Sequence, residues 1–335
     1  MTTQTSVKVP SLKKVYENYF DIGAAVNLHT IVTQQPLLAQ HFNSITAEND
    51  MKFENIQPLE GQFTFERADE LAAFAKKNGM RMRGHTLVWH NQTPDWVFQD
   101  ANGKQVDRET LLQRLKNHIN VVMERYKGTI YCWDVVNEAV TDEGPELYRS
   151  TKWLEIIGED YIEKAFEFAH EADPEALLFY NDYNESDPQK REKIYKLVKS
   201  LVDKGVPVHG VGLQAHWKLV NPSLEEIRTA IERYASLGLK LHLTELDVSV
   251  FNHEDKRTDL TEPTSEMLDL QAERYHQVFH LLREYQDSIT SVTFWGAADD
   301  YTWLSDFPVK GRKNWPFLFD EKHQPKDSFW KVVQF

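Results

Sequence analysis

Two stretches decide the fold: Tyr131-Cys-Trp-Asp-Val-Val-Asn-Glu138 and Leu239-Lys-Leu-His-Leu-Thr-Glu-Leu-Asp247. Each runs a mainly apolar strand pattern straight into a carboxylate, with a polar residue just before it. The same arrangement recurs along the chain. Strands are expected at Ile22–Val26, Ser44–Ala47, Arg81–Leu87, Ile130–Val136, Leu177–Asp182, Val208–Gln214, Leu239–Leu246 and Thr290–Trp295. Polar or aromatic groups sit at or just past their C-terminal ends: Glu48 and Asn49, His85, Asn137 and Glu138, Asn181 and Asp182, Gln214, Glu245 and Trp295.

Helices alternate with these strands. They are expected near Ala68–Asn78 and Arg108–Lys127. In the C-terminal half, Asp187 caps a helix with Pro188 at its first position, and Gly205 ends it. Ser223 and Glu226 form a capping box for a helix that stops at Gly238, and a long helix runs from Thr264 to about Gln286. Eight alternating pairs fit a (β/α)8 barrel or a doubly wound sheet. An open sheet gathers chemistry at one switch point, whereas a closed barrel collects it from many strand ends onto one face. The spread of polar residues over the strand ends favours the α/β class with a single (β/α)8 TIM barrel.

Composition bounds the rest. The chain has 335 residues, 41% hydrophobic and 27% charged, enough for a sizeable core, and no linker-like stretch divides it. One domain over residues 1–335 is expected, with no appended binding module. Lysine and arginine number 38 against 52 acidic residues, a net charge of −14 with no basic stripe, which argues against a nucleic-acid partner. No segment approaches the ~20 apolar residues of a membrane span. Cys132 is the only cysteine, so no internal disulfide forms. Met1–Pro10 lacks the pattern of a secretory leader, and a cytoplasmic location is expected.

Glu138 and Glu245 fall on strands four and seven of the expected eight and so face each other across the barrel mouth. Cleavage of a glycosidic bond needs one protonated carboxyl, to give a proton to the departing oxygen, and one ionised carboxylate at the anomeric carbon. Asp247, two residues beyond Glu245, shares its side of the strand, and His216 is placed to bridge the two carboxylates. A single strand-end glutamate is ordinarily a surface-loop residue. Two on opposed strands with matching polar neighbours are not.

The blocks W-D-V-V-N-E (133–138) and L-T-E-L-D (243–247) resemble the acid/base and nucleophile strands of glycoside hydrolase family 10 xylanases. Further blocks resemble the family in order: A-E-N-D-M-K (47–52), R-G-H-T-L-V-W-H (83–90), Y-N-D-Y-N (180–184), G-V-G-L-Q-A-H (210–216), V-T-F-W-G (292–296) and P-F-L-F-D with Q-P-K (316–326). The resemblance implies a retaining endo-β-1,4-xylanase acting on xylan or xylo-oligosaccharides, without cofactor or metal. It makes Glu138 the acid/base, Glu245 the nucleophile, His216 and Asp247 the nucleophile's supports, and Asn137 the partner of the sugar 2-hydroxyl. Glu48, Asn49, Lys52, His85, Trp89 and Gln214 would bind the glycone sugars, with Trp295 and Trp303 walling that side and Tyr183 towards the leaving group. Phe53 stands where many relatives carry tryptophan.

Other aromatic and polar residues are expected to be structural. Trp133, Trp153 and Trp330 are packing residues, His90 a buried, satisfied histidine, Asp134 a hydrogen-bonded structural carboxylate and Cys132 a small buried hydrophobe. Gly210-Val-Gly212 lies within a strand with no helix after it, so it is no dinucleotide loop. Asp182–Lys193 lacks the glycine and terminal glutamate of a calcium loop. Two competing readings stand beside the xylanase: a barrel that binds carbohydrate without catalysis, and a related hydrolase of β-glucan.

Overall fold

The computed structural model describes residues 7–335. The expectation about a leader falls mostly on Met1–Ser6, outside the described residues. Among the described residues nine strands form: β1 Asp21–Val26, β2 Ser44–Ala47, β3 Arg81–Val88, β4 Ile130–Asn137, β5 Leu177–Asp182, β6 Gly210–Leu213, β7 His216–Lys218, β8 Lys240–Ser249 and β9 Ile289–Phe294. β1 to β6, then β8 and β9, pair in parallel, and β6–β8 and β1–β9 pairings close the ring. The closed eight-stranded parallel barrel with helices between its strands is thus the expected fold. Its strands are buried almost throughout, because helices cover the outer face and side chains fill the inner one.

Helix starts follow local chemistry. The Asp187 carboxylate accepts the N–H groups of Gln189 and Lys190, and the helix Pro188–Asp203 begins there. Ser223 and Glu226 exchange both bonds of a capping box ahead of Leu224–Ala235. Thr264 accepts from Met267 to open Ser265–Glu284. The helix Tyr161–Ala172, between β4 and β5, has no such cap and was not expected from the sequence.

The sixth strand is shorter than the expected Val208–Gln214. Ala215 adopts φ +60°, in the left-handed region, which breaks the strand. The chain resumes as β7 and pairs His216 with Asp247 of β8. Close packing inside the ring needs glycine at two points. A Cβ on Gly84 would lie 2.2 Å from the Trp133 ring, and one on Gly210 would lie 2.1 Å from Phe179.

Charge is buried beneath the barrel mouth. Arg83 forms a two-pronged pair with Asp134 (3.1 and 2.8 Å) and donates to His242 (3.1 Å). Asp134 also holds His85 Nδ1 at 2.8 Å, so this structural carboxylate orients a residue of the site above it. Burial would lift the Asp134 carboxyl, but Arg83 and His85 together overcome it and hold it well below the usual range. Trp133, Trp153 and Cys132 are buried, and Trp330 packs partly buried against the core. Phe53 stacks on His118 with ring centres 3.5 Å apart, a packing role. No helix among the described residues is long and apolar enough to cross a membrane.

Candidate active site

A cleft of about 710 Å³ opens at the C-terminal ends of the strands. It is lined by Glu138 and Glu245 together with Asn137, Glu48, Asn49, Lys52, His85, Trp89, Tyr183, Gln214, His216, Trp295 and Trp303. Of the expected site residues, only Asp247 does not line it. Asp247 lies beneath His216, 1% exposed, and acts on the cleft through that ring.

Glu245 lies within β8 and sits among donors. Its Oε2 accepts from Asn181 Nδ2 at 3.0 Å, and His216 Nε2 stands 3.5 Å from Oε1. His216 Nδ1 lies 3.0 Å from both Asp247 oxygens, and Trp303 Nε1 donates to Asp247 at 2.9 Å. Burial alone would lower the His216 pKa. The two carboxylates outweigh it and raise the ring to about 10, so His216 is an imidazolium. Burial likewise opposes ionisation of Glu245, yet His216, His85 and Asn181 overcome it and hold the carboxyl below its usual value.

Glu138 is treated oppositely. Its Oε2 accepts from Trp89 Nε1 (2.8 Å) and its Oε1 from Gln214 Nε2 (3.0 Å), both neutral donors. Burial, with the charges of Asp182 and Glu245, outweighs those bonds and raises its pKa. The surroundings therefore favour the protonated form of Glu138 and the ionised form of Glu245, the division that acid/nucleophile chemistry requires.

The two glutamates are tied through amides. Gln214 Nε2, which bonds Glu138, also reaches Asn137 Oδ1 at 3.2 Å; Asn181 Nδ2, which bonds Glu245, reaches the same oxygen at 2.9 Å. With its oxygen doubly occupied, Asn137 has its N–H2 group left to donate. Glu138 itself sits at φ +58°, a left-handed conformation costing about 1–2 kcal/mol for a non-glycine residue. Three bonds fix it there: Glu138 N–H to Asn181 O (2.9 Å), Arg149 Nε to Glu138 O (2.9 Å), and Ala139 N–H to Tyr180 Oη (3.0 Å).

On the remaining walls, Lys52 Nζ bonds Asn49 (2.9 Å) and Gln92 (3.1 Å) and stands 4.8 Å over the Trp89 ring. Glu48 accepts from Asn27 Nδ2 at 3.0 Å. Trp295 meets His85 edge-on, with ring centres 5.4 Å apart. Trp303 stacks on Phe307, 4.9 Å apart and 15° from parallel. Tyr183 receives a bond from Arg149 at 2.9 Å and donates to Asp142.

The cleft also contains residues that sequence reasoning left out: His90, Asn91, Gln92, Arg149, Asn184, Lys218, His253 and Phe307. Asn181, named above only as a polar group at a strand end, lies buried beneath them as the amide between Asn137 and Glu245; its place in the Y-N-D-Y-N block was the available signal. Arg149 and Phe307 lie on loops where no periodicity marks them. The expectation for His90 needs correction. It is half-buried on the cleft wall with its ring at 75° to that of Trp89, and its Nδ1 has no partner among the described residues. Among the described residues no cluster of three or more His, Cys, Asp or Glu is arranged to hold a metal ion.

Comparison with known proteins agrees with this geometry. An endo-1,4-β-xylanase of Geobacillus stearothermophilus is 63% identical over 325 residues, covering 97% of this chain and 98% of that protein. Endo-1,4-β-xylanase B of Paenibacillus barcinonensis is 61% identical over 328 residues, covering 98% and 99%. The crystal structure of xylanase XynB from Paenibacillus barcinonensis, complexed with a conduramine derivative, superposes with a TM-score of 0.96 at 61% identity, over 98% of this chain and 99% of that one. The model of glycosyl hydrolase family 10 matches residues 11–335, and the chain belongs to that family.

Proposed function

We propose that this chain is an endo-1,4-β-xylanase that cleaves xylan and xylo-oligosaccharides with retention of anomeric configuration. The observation that carries the reading is the opposite treatment of two glutamates across one cleft: Glu245 among an imidazolium and an amide donor, Glu138 between neutral donors with a carboxylate behind it.

In the first step Glu245 attacks the anomeric carbon while Glu138 gives its proton to the departing glycosidic oxygen. The sugar is left esterified to Glu245, and Glu138 is ionised. In the second step Glu138 takes a proton from water, the oxygen of that water attacks the same carbon, and Glu245 leaves as carboxylate. Both glutamates are restored. Asn137, with its free N–H2 group, donates to the 2-hydroxyl of the sugar at the point of cleavage. His85, Lys52, Glu48, Asn49 and Gln214 hold the hydroxyls of the glycone sugars, while Trp89, Trp295 and Trp303 offer rings to their apolar faces.

The barrel acts as one catalytic domain, with no metal or cofactor in these steps. We place its work in the cytoplasm, on imported xylo-oligosaccharides. A lone buried cysteine in a fold with no disulfide suits a reducing compartment. Cell fractionation tests that placement, and enzyme found in the culture medium would refute it.

Hydrolysis of xylohexaose and cellohexaose by the wild type, Glu138→Ala and Glu245→Ala, followed by proton NMR, tests the activity. The expected result is early β-configured xylo-oligosaccharides, lost in both variants. Products of α-configuration would refute retention, and preferential cleavage of cellohexaose would refute the substrate.

A further inference from the structure

Behind the turn that carries Glu138 lies a buried network that the steps above do not use. Lys190, 1% exposed, projects from the first turn of the helix Pro188–Asp203 and places its ammonium 2.7 Å from Asp142 and 3.0 Å from Asp182. Asp182, at the end of β5 and also 1% exposed, accepts the Tyr183 N–H at 2.9 Å and the Tyr180 hydroxyl. That same tyrosine oxygen accepts the Ala139 N–H, the residue after the acid/base. From the other side Arg149 grips the Glu138 carbonyl and reaches Tyr183 and Asp142.

We propose that Asp182 is a positioning residue for the acid/base: it fixes Tyr180 against the Glu138–Ala139 turn and sets a buried carboxylate behind that turn. The proposal rests on the reading of Glu138 as general acid. Burial lifts the Asp182 carboxyl, opposed by Lys190, Tyr180 and the Tyr183 N–H. Two hydrogen-bond donors and a buried ammonium at 3.0 Å favour its charged form against that burial. The charged groups around Glu138 are Glu245 from β8, Asp182 from β5, Lys52 from the loop after β2, His216 from β7 and Arg149 on its carbonyl. After burial, Asp182 is the largest of the influences that favour the protonated form of Glu138. The arrangement explains a feature the catalytic pair alone does not. Lys190, a cation, is buried near an acid that must keep its proton, and Asp142 and Asp182 together neutralise it.

The test compares Asp182→Asn with the wild type in kcat/KM against pH, on xylohexaose and on a dinitrophenyl β-xylobioside whose leaving group departs without a proton. Removing the carboxylate lowers the proton affinity of Glu138. The alkaline limb on xylohexaose is therefore expected to move to lower pH by about half a unit or more, an extra loss of about threefold above that limb. The dinitrophenyl substrate should show no such displacement. Loss that is uniform across pH and equal on both substrates would overturn the proposal.

Glu138→Ala tests the reading beneath it. It should abolish xylohexaose cleavage while still releasing dinitrophenolate in a first turnover; equal loss on both substrates would remove Glu138 as acid, whatever Asp182 does. Should Asp182→Asn fail to fold, Tyr180→Phe keeps the ring and deletes only the bridging hydroxyl. A fall in kcat of several-fold at unchanged KM is then expected, and an unchanged kcat overturns the role.

Discussion

Replacing His216 by asparagine tests directly how Glu245 is kept ionised. The ring is raised from 6.5 to about 10, which at ~1.4 kcal/mol per unit is about 5 kcal/mol in favour of the imidazolium, net of burial and shared between Asp247 and Glu245. Asparagine removes that charge and the 3.5 Å approach to Glu245. A hydrogen bond from a charged donor contributes about 1.5–3 kcal/mol, so the Glu245 carboxyl should rise by about 1–2 units. The stranded Asp247, left with only Trp303 as donor, pushes in the same direction. The acidic limb of kcat/KM, where Glu245 must be ionised, is expected to move up by that amount on an aryl xylobioside. The double variant His216→Asn/Asp247→Asn, which also removes the stranded carboxylate, should recover part of the displacement. A folded pKa raised to about 10 contributes stability in full below about pH 6.5, lost as pH rises through 10. The melting deficit of His216→Asn should therefore be larger at pH 6 than at pH 10. An acidic limb that stays in place would refute the account of how Glu245 is kept ionised.

Two further substitutions probe packing and the cleft rim. Gly210→Ala would drive a methyl to 2.1 Å from the Phe179 ring, itself stacked on His242 at 4.1 Å, so the ring cannot yield cheaply; a loss of about 1–3 kcal/mol in urea unfolding is expected, and an unchanged midpoint would show that the barrel relaxes there. Phe307, 48% exposed and stacked on Trp303, extends the aromatic wall of the cleft. Phe307→Ala should raise KM for xylo-oligosaccharides by about two- to tenfold with a smaller change in kcat, the equivalent of about 0.5–1.5 kcal/mol of stacking. An unchanged KM would place the substrate elsewhere.

Much of the barrel was legible because its signals are local. Asp187 with Pro188, Ser223 with Glu226, and Thr264 each satisfy the first N–H groups of a helix, and each helix begins where its cap stands. The helix Tyr161–Ala172 escaped notice for the complementary reason: Asp160 before it makes no capping bond, leaving only the stripe Ile162, Ala165, Phe166 and Ala169 to mark it. The break at Ala215 was not legible either. Nothing in Gln-Ala-His announces a left-handed alanine, yet that break lets His216 restart as β7 and pair with Asp247. The expected bridge from His216 to both carboxylates thus depends on a backbone feature invisible in the residue types.

The same limit applies more sharply to the two glutamates. Asn-Glu on β4 and Thr-Glu on β8 are nearly equivalent strings, each an apolar strand ending in a carboxylate, and neither says which group keeps its proton. The resemblance to a family can label them, but the cause lies in what the barrel brings to each from elsewhere in the chain. To Glu245 come His216, 29 residues upstream, and Asn181, 64 upstream, one cationic and one a neutral donor. To Glu138 come Trp89, 49 residues before it, and Gln214, 76 after it, both neutral, with the Asp182 charge behind. Since every one of these partners is long-range, the sheet is part of the chemistry: β5 and β6 lie in order between β4 and β8, and β7 pairs with β8. Asn181 bonds Glu245, Gln214 bonds Glu138, and both meet at the Asn137 oxygen. The two carboxyls share one pair of amides but answer to different charges, so substitutions at His216 and at Asp182 should move opposite limbs of one pH profile.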